Sequence, residues 1–434
     1  MKLNYKRTFF IGFAFMSICT FWQLYDNIIP LILKETFQFS NFTTGFVMAA
    51  DNVLALFLLP LFGAFSDKVN TRWGKRTPFI IFGTAAAVIT MLLLPLADNT
   101  NSLMLFIVSL GFLLVFMGTY RSPAVALMPD LTPKPLRSKA NAVINLMGSI
   151  GGILALAFIK VLVKKVAKPN YFNVFLAVAI VMALAVVVLI MTIREKEMAV
   201  REPDSESEEE KGSSAMAPDV KKSLIFMLVS VGLWFMAYNS ITSAFSRYAK
   251  EVWKLQGGDF TTPLLIASAG AIVSYIPIGI ISSSIGRKKT ILGGVTLLAL
   301  MFGCGVFFTS TNYNVGINLF GAVRVEWVYI LFALVGVAWA AINVNSYPMV
   351  VEMSKGSDVG KYTGYYYTFS MAAQVLTPIL SGYLIDHTAA SYRILFPYAT
   401  IFAVLAAFTM LFVKHGDSKP PKKNSKLENF DVAD

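Results

Sequence analysis

Gly63-Ala-Phe-Ser-Asp67-Lys-Val-Asn-Thr-Arg72-Trp-Gly74-Lys75-Arg76 is a short polar loop, rich in cations, set between two long apolar runs. A degenerate copy recurs as Gly279-Ile-Ile-Ser-Ser283-Ser-Ile-Gly286-Arg287-Lys288-Lys289. In each copy a Gly sits four residues before Asp67 or Ser283, and a Gly followed by basic residues comes after. Two copies far apart, each between hydrophobic runs, imply one half repeated.

The flanking runs set the class. Of 434 residues, 56% are hydrophobic and 14% charged. Apolar runs of about twenty residues are long enough to cross a hydrocarbon core of roughly 30 Å as helices. We read twelve spans, near 8–33, 44–65, 77–97, 102–128, 140–163, 172–193, 223–246, 262–284, 289–310, 326–350, 361–385 and 394–414. The expected fold class is an all-α membrane protein of about 12 transmembrane helices in two six-helix pseudo-symmetric halves. Residues 1–193 form the N-terminal half, 194–222 a cytoplasmic linker, 223–414 the C-terminal half and 415–434 a cytoplasmic tail. The first run follows a basic start as a signal peptide would. It continues past Trp22 to Leu33 with no small-residue cleavage site, so it is read as a span.

Cys19 and Cys304 both lie in apolar runs, which excludes a disulfide framework or a Cys-based metal site. His387 and His415 leave little for histidine catalysis. The formal net charge of +12 would suit a nucleic-acid partner in a soluble chain. Here it is read as loops held on the cytoplasmic side, with no nucleic acid expected. With both termini cytoplasmic, 26 of the 37 Lys and Arg fall inside and 10 outside, and Arg121 lies within the fourth span. Lys160, Lys164, Lys165 and Lys168 run against this bias. The expected location is the plasma (inner) membrane, multi-pass.

Glu206, Ser207, Glu208, Glu209 and Glu210, then Gly-Ser-Ser, mark the linker as disordered. The tail after Lys414 is polar and expected to be mobile. Tethering and solubility are the simplest roles for both.

Two parallel six-helix repeats joined by a linker are the build of secondary transporters that rock around a site at the bilayer midplane. Asp67 can pair with Arg or Lys at the cytoplasmic end, and breaking that pair would accompany opening there. A positive-inside bias alone explains the basic residues but not the repeated pattern.

At these residues the chain resembles the major facilitator superfamily over nearly its whole length. Its loop motif has the lengthened form ending Arg72-Trp-Gly-Lys-Arg-Thr-Pro78-Phe, similar to two sugar-carrying families. Ser122-Pro123-Ala-Val-Ala-Leu-Met-Pro129-Asp130-Leu131 and Ile342-Asn-Val-Asn-Ser-Tyr-Pro348 resemble patterns of the sucrose-carrier-like family. The second choice is the glycoside–pentoside–hexuronide cation symporter family. Its sodium-binding acids would fall at Ala55 and Leu59, so that site is absent. The resemblance implies a gate built from Gly63, Asp67, Arg72, Gly74, Lys75, Arg76, Asp130, Arg137, Gly286 and Arg287, and a monomer. The sucrose-carrier proton acid would fall at Leu114 and its arginine at Val125, with Arg121 one turn earlier. The family's coupling residues therefore do not carry over.

Ionisable residues in a span are costly and default to function. Asp26, Asp51 and Arg121 stand out, all in the first half. Counted from the cytoplasmic side, they sit roughly 27, 24 and 13 Å up, so the two acids share a depth. An acid poised between burial, which disfavours its charge, and an arginine, which favours it, can carry a proton. Asp26 and Asp51 are the cation-coupling candidates, a structural ion pair being the alternative. Sugars bind to aromatic faces and polar groups. Substrate-binding candidates are Trp22, Gln23, Tyr25, Tyr120, Arg121, Asn145, Tyr238, Asn239, Trp339, Asn343, Asn345, Tyr366 and Gln374, together with Trp234, Tyr275 and Tyr367. The alternative for each is an interface anchor or helix–helix glue. Gly148-Ser-Ile-Gly151-Gly152 reads as a close helix contact and no phosphate cradle.

The resulting expectation is a secondary active transporter of a sugar or glycoside, coupled to protons, with the lipid bilayer as its other partner. Competing readings are an exporter of an organic anion, drug or lipid-like amphiphile, for which Arg121 would suit an anion, and a non-transporting membrane sensor. An enzyme is not expected, since no His, Cys or Ser cluster has catalytic spacing. No Walker motif exists, so no nucleotide or other cofactor is expected beyond the coupling ion, H+.

Overall fold

The computed structural model describes residues 3–133, 136–166, 168–198, 217–319, 323–353 and 359–417. Among them, twelve helices are long and apolar enough to cross a membrane. The first six are α1 (Tyr5–Glu35), α2 (Asn41–Lys68), α3 (Thr77–Asn99), α4 (Leu103–Asp130), α5 (Arg137–Leu162) and α6 (Phe172–Thr192). A short α7 (Glu195–Met198) follows. The second six are α8 (Pro218–Thr242), α10 (Thr261–Ile285), α11 (Arg287–Gly305), α12 (Trp327–Glu352), α13 (Val359–His387) and α14 (Leu395–Leu411), with a short α9 (Phe245–Glu251) after α8.

Local chemistry sets many of the helix starts. Asn4, Ser40 and Ser102 accept a backbone N–H three residues on, filling one of the unpaired donors of α1, α2 and α4. Pro78 and Pro218 fall in the first turns of α3 and α8, where the missing N–H costs nothing.

The packing of the first six helices recurs in the second six. α1 packs on α5 and α6 as α8 packs on α13 and α14. α4 packs on α2 and α3 as α12 packs on α10 and α11, and α3 meets α6 as α11 meets α14. Between the two sets, α2 meets α13 and α5 meets α10, contacts that a pseudo-two-fold axis exchanges. Gly151 on α5 lets the helices close: a Cβ there would lie 2.3 Å from the Met16 carbonyl oxygen of α1. The glycine run of the fifth span is thus a helix contact, as expected.

Four expectations are corrected. The seventh span ends at Thr242 rather than 246, because the chain turns at Ser243 into α9. The ninth stops at Gly305, where a Cβ would strike the Phe396 ring. A two-stranded antiparallel hairpin, Gly316–Leu319 with Val323–Glu326, precedes α12 in a stretch read as loop. The ends of the linker are ordered: 195–198 is helical and 218–222 belongs to α8, while 199–216 lies outside the described residues. Of the tail, His415 bonds to Ser223 and Asp417 to the start of α11, and 418–434 lies outside the described residues.

Candidate functional site

A cavity of about 170 Å³ lies between the two sets of helices. α1 supplies Trp22 and Asp26, and α2 supplies Met48, Asp51 and Asn52. Arg121 comes from α4, Asn239 and Thr242 from α8, Ser243 from the turn after it, and Gln374 and Pro378 from α13. Spacings of three or four residues put each helix's contributions on one face. The ionisable groups all come from the first half, and the second half brings neutral hydrogen-bonding groups.

The Arg121 guanidinium stands 5.2 Å from the Trp22 ring centroid. Asn52 Nδ2 donates to Asp51 Oδ1 at 2.8 Å. Among the described residues, no ion pair within 4.0 Å joins Arg121 to either carboxylate. Trp22 Nε1 and Asn239 Nδ2 are buried donors without a protein partner. Buried polar groups are almost always satisfied, so donors left open beside a polar cavity are suited to a ligand or water.

The other candidates sit elsewhere. Tyr120 and Tyr25 are buried in the packing of the first half. Tyr120 meets Ser17 at 3.3 Å, and Tyr25 lies edge-on to Trp22. Gln23 takes the Asn27 amide at 3.3 Å and packs toward Gly152. Asn145 is exposed on α5 and donates to the Asn141 carbonyl. Tyr238 stacks flat on Trp339, centroids 3.7 Å apart, tying α8 to α12. Asn345 donates to the Ala341 carbonyl, and Tyr366 bonds to Ser346 at 3.0 Å. Asn343 is half-buried, Trp234 is core and Tyr367 is exposed. Tyr275 packs on a small cluster with Ala271 and Ile278. Asn52, Thr242 and Ser243 were missed; Asn52 adjoins Asp51, and Thr242 and Ser243 lie one turn past Asn239.

At the end where α1 begins and α14 stops, here the near end, the loop motif closes on Arg76, which is 5% exposed. Its guanidinium holds Asp67 and, at 2.8 Å, Asp130, and it also reaches Ser66. Lys75 lies 3.3 Å from Asp130. Arg72 stands apart over the Trp73 ring at 4.7 Å, and the Arg137 side chain lies outside the described residues. Sequence reasoning missed Glu195. Its carboxylate accepts the N–H groups of Lys75, Arg76 and Thr77 at 2.8–3.0 Å, and the Thr77 hydroxyl. Gly74 has φ +114°, and a Cβ there would lie 2.4 Å from that carboxyl carbon. The second half repeats the device without an equivalent of Asp67. Arg287 pairs with Glu352 at the end of α12, and Asp417 accepts the N–H of Arg287 and Lys288 at the start of α11. An acid just past the sixth and twelfth spans was the signal. Glu195→Ala strands several buried donors and is expected to cost about 2–4 kcal/mol, read as a lower unfolding midpoint in detergent; an unchanged midpoint would count against the cap.

At the opposite, far end the halves are bonded to each other. Lys160 reaches Asp259 at 2.8 Å and Thr262 at 2.7 Å, and Lys165 reaches Asp259 at 2.6 Å. Lys250 meets Glu35 at 2.7 Å. Asp386 accepts from Asn41 N, Asn41 Nδ2 and Phe42 N at 2.7–3.1 Å. Two lysines that broke the charge bias thus serve as inter-half ties. Partial burial would raise the Asp259 carboxyl, but hydrogen bonds and charge from Lys160 and Lys165 outweigh it and hold it below the usual range. A lowered acid stabilises this closed end above its ordinary value, near 3.9, and loses that only as pH falls through the lowered one. This tie therefore stays ionised between pH 5 and 8. A second cavity here, about 200 Å³, includes Lys160, Trp253 and Asp259 in its lining. Those groups are already paired, Trp253 with the Phe308 carbonyl at 3.2 Å.

Comparison with known proteins follows this architecture. A family model of the Major Facilitator Superfamily matches residues 11–323 and 264–432. Sucrose transport protein SUC3 of Arabidopsis thaliana is 28% identical over 139 residues, 28% of this chain and 23% of that protein, so the match spans less than a quarter of that relative's length. Tetrameric PepTSo2 superposes with TM-score 0.69 at 13% identity, covering 95% of this chain and 98% of that one. Nucleoside transporter NupG gives 0.63 at 16%, covering 95% and 100%. At such identities the structures speak for the fold alone.

Proposed function

The chain belongs to the Major Facilitator Superfamily, a multi-pass membrane transporter, and on that premise we propose that it carries a sugar or glycoside by alternating access in symport with protons. The observation that carries this reading is the central cavity. It sets two carboxylates, one guanidinium and two open donors between halves that, among the described residues, are bonded to each other at the far end. An indole face beside amide, hydroxyl and carboxylate groups suits a polyol, whose C–H surface stacks and whose hydroxyls bond. The partial similarity to a sucrose transport protein and the lengthened loop motif point the same way.

The distribution of Lys and Arg supports a near end in the cytoplasm, with both termini there and the plasma (inner) membrane as the location. The arrangement described is then closed to the outside. The protein works as a monomer, with no cofactor beyond the coupling proton and no catalytic residue. Arg121 in the cavity wall favours a second reading, an organic anion held by the guanidinium.

Labelled sucrose and maltose offered to proteoliposomes, with and without an inward proton gradient, test the first reading. Gradient-dependent accumulation is expected. No uptake of either sugar by folded, monodisperse protein transfers the assignment to the anion.

A further inference from the structure

Arg247 on α9 is 3% exposed, yet no carboxylate lies within 4.0 Å of it among the described residues. Nη1 donates to Asn41 Oδ1 at 3.2 Å and Nη2 to the Ser243 carbonyl at 3.4 Å. Nε has no partner. A guanidinium buried this way is costly, because neutral acceptors repay only part of its lost hydration. Burial accordingly draws it below its ordinary pKa, with Tyr392 and Asp386 pulling the other way. Asn41 also takes the Tyr392 hydroxyl on the same oxygen, and gives its amide to Asp386. One asparagine of the first half thus stands between a cation and an anion of the second.

The arginine and the aspartate travel together. α9 and α13 both pack on the 3₁₀ turn Ser391–Ile394, so they belong to one body. Asn41 begins α2, in the other body. When the far end opens, α2 withdraws; Asp386 loses the three donors of Asn41 and Phe42, and Arg247 loses Asn41 and keeps the Ser243 carbonyl of its own half. Water alone satisfies Arg247 poorly while its own half still covers it, and Asp386, exposed and bonded to the same asparagine, is the carboxylate beside it. With the Asn41 side chain gone, nothing bonded to both groups holds them apart, and they are free to meet.

We propose that Arg247 and Asp386 form an ion pair when the far end opens, and that Asn41 replaces that pair by bonding to both when it closes. The exchange gives both charged groups hydrogen-bonding partners in each of the two states, through Asn41 when the far end is closed and through each other when it is open. It rests on the alternating-access reading, and not on the identity of the substrate.

The test is a distance measurement across the far end. Spin labels at exposed positions 166 and 315, one in each half, in a C19S/C304S background, report open and closed populations by pulsed electron resonance. Arg247→Gln is expected to lower the open population about fivefold while Asp386 is present. In the Asp386→Asn background it should not lower it, since the pair is already gone. Arg247→Lys keeps the charge and should retain most of the open population. A rise in the open population on Arg247→Gln, or an equal fall in both backgrounds, would overturn the exchange. A wild type fixed at a single distance overturns both the exchange and alternating access. The distance readout needs no substrate, so failure of the sugar assay is read separately.

Discussion

Asp26→Asn is expected to abolish accumulation driven by a proton gradient while leaving sugar counterflow in place. The reason is a charge count. Asp26, Asp51 and Arg121 line one cavity. Two carboxylates against one guanidinium leave a net negative charge when both acids are ionised, and one proton neutralises it. A neutral cavity re-orients across a low-dielectric membrane at far less cost than a charged one. Asn at position 26 neutralises the site permanently, so the carrier exchanges sugar without needing a proton. Each imposed pH unit stores about 1.4 kcal/mol per proton, enough for roughly tenfold accumulation. The variant should fall from that ratio to equality. Uptake at the wild-type level would show that Asp26 is not the coupling acid and pass the role to Asp51, which lines the same cavity and accepts the Asn52 amide.

Gly45→Ala is expected to cut transport about 10- to 100-fold by preventing the far end from closing. A Cβ at Gly45 of α2 would lie 2.0 Å from the Pro378 carbonyl oxygen of α13. The seam is tight on its other side too: a Cβ at Gly382 would lie 2.3 Å from the Asn41 carbonyl oxygen. Both obstacles are helix backbone, which cannot rotate away as a side chain can. Overpacking of this kind costs about 1–3 kcal/mol, here borne by the closed arrangement alone because the clash joins separate halves. Each half should fold normally, and the open population should rise in the same distance measurement used for Arg247. Wild-type transport by Gly45→Ala would mean that this α2–α13 contact is not part of the cycle.

How much was legible follows from range. The spans, their number and the repeat are local or periodic properties, and twelve helices form where the apolar runs lie. The errors fell where tertiary contacts set a boundary. Gly305 ends α11 against the Phe396 ring, and Ser243 turns the chain into α9. Charge in a span flagged Asp26, Asp51 and Arg121 from cost alone, and the structure brings all three to one cavity. Aromatic and amide residues carried no such cost. Tyr120, Tyr238 and Asn345 are satisfied by neighbours that a sequence does not name, while Trp22 and Asn239 are left open toward the cavity.

By itself the sequence determined the membrane class, the two-fold repeat and the three charged residues of the middle, because hydrophobic length, motif spacing and the cost of a buried charge are written residue by residue. Only the tertiary structure decided what those charges face, which acids cap the loop motif, and which end is tied shut. Glu195 lies about 120 positions from the amides it holds, and Asp386 lies 345 from Asn41. Hydrogen bonds depend on distance in space, and only the packing of helices brings such pairs within reach.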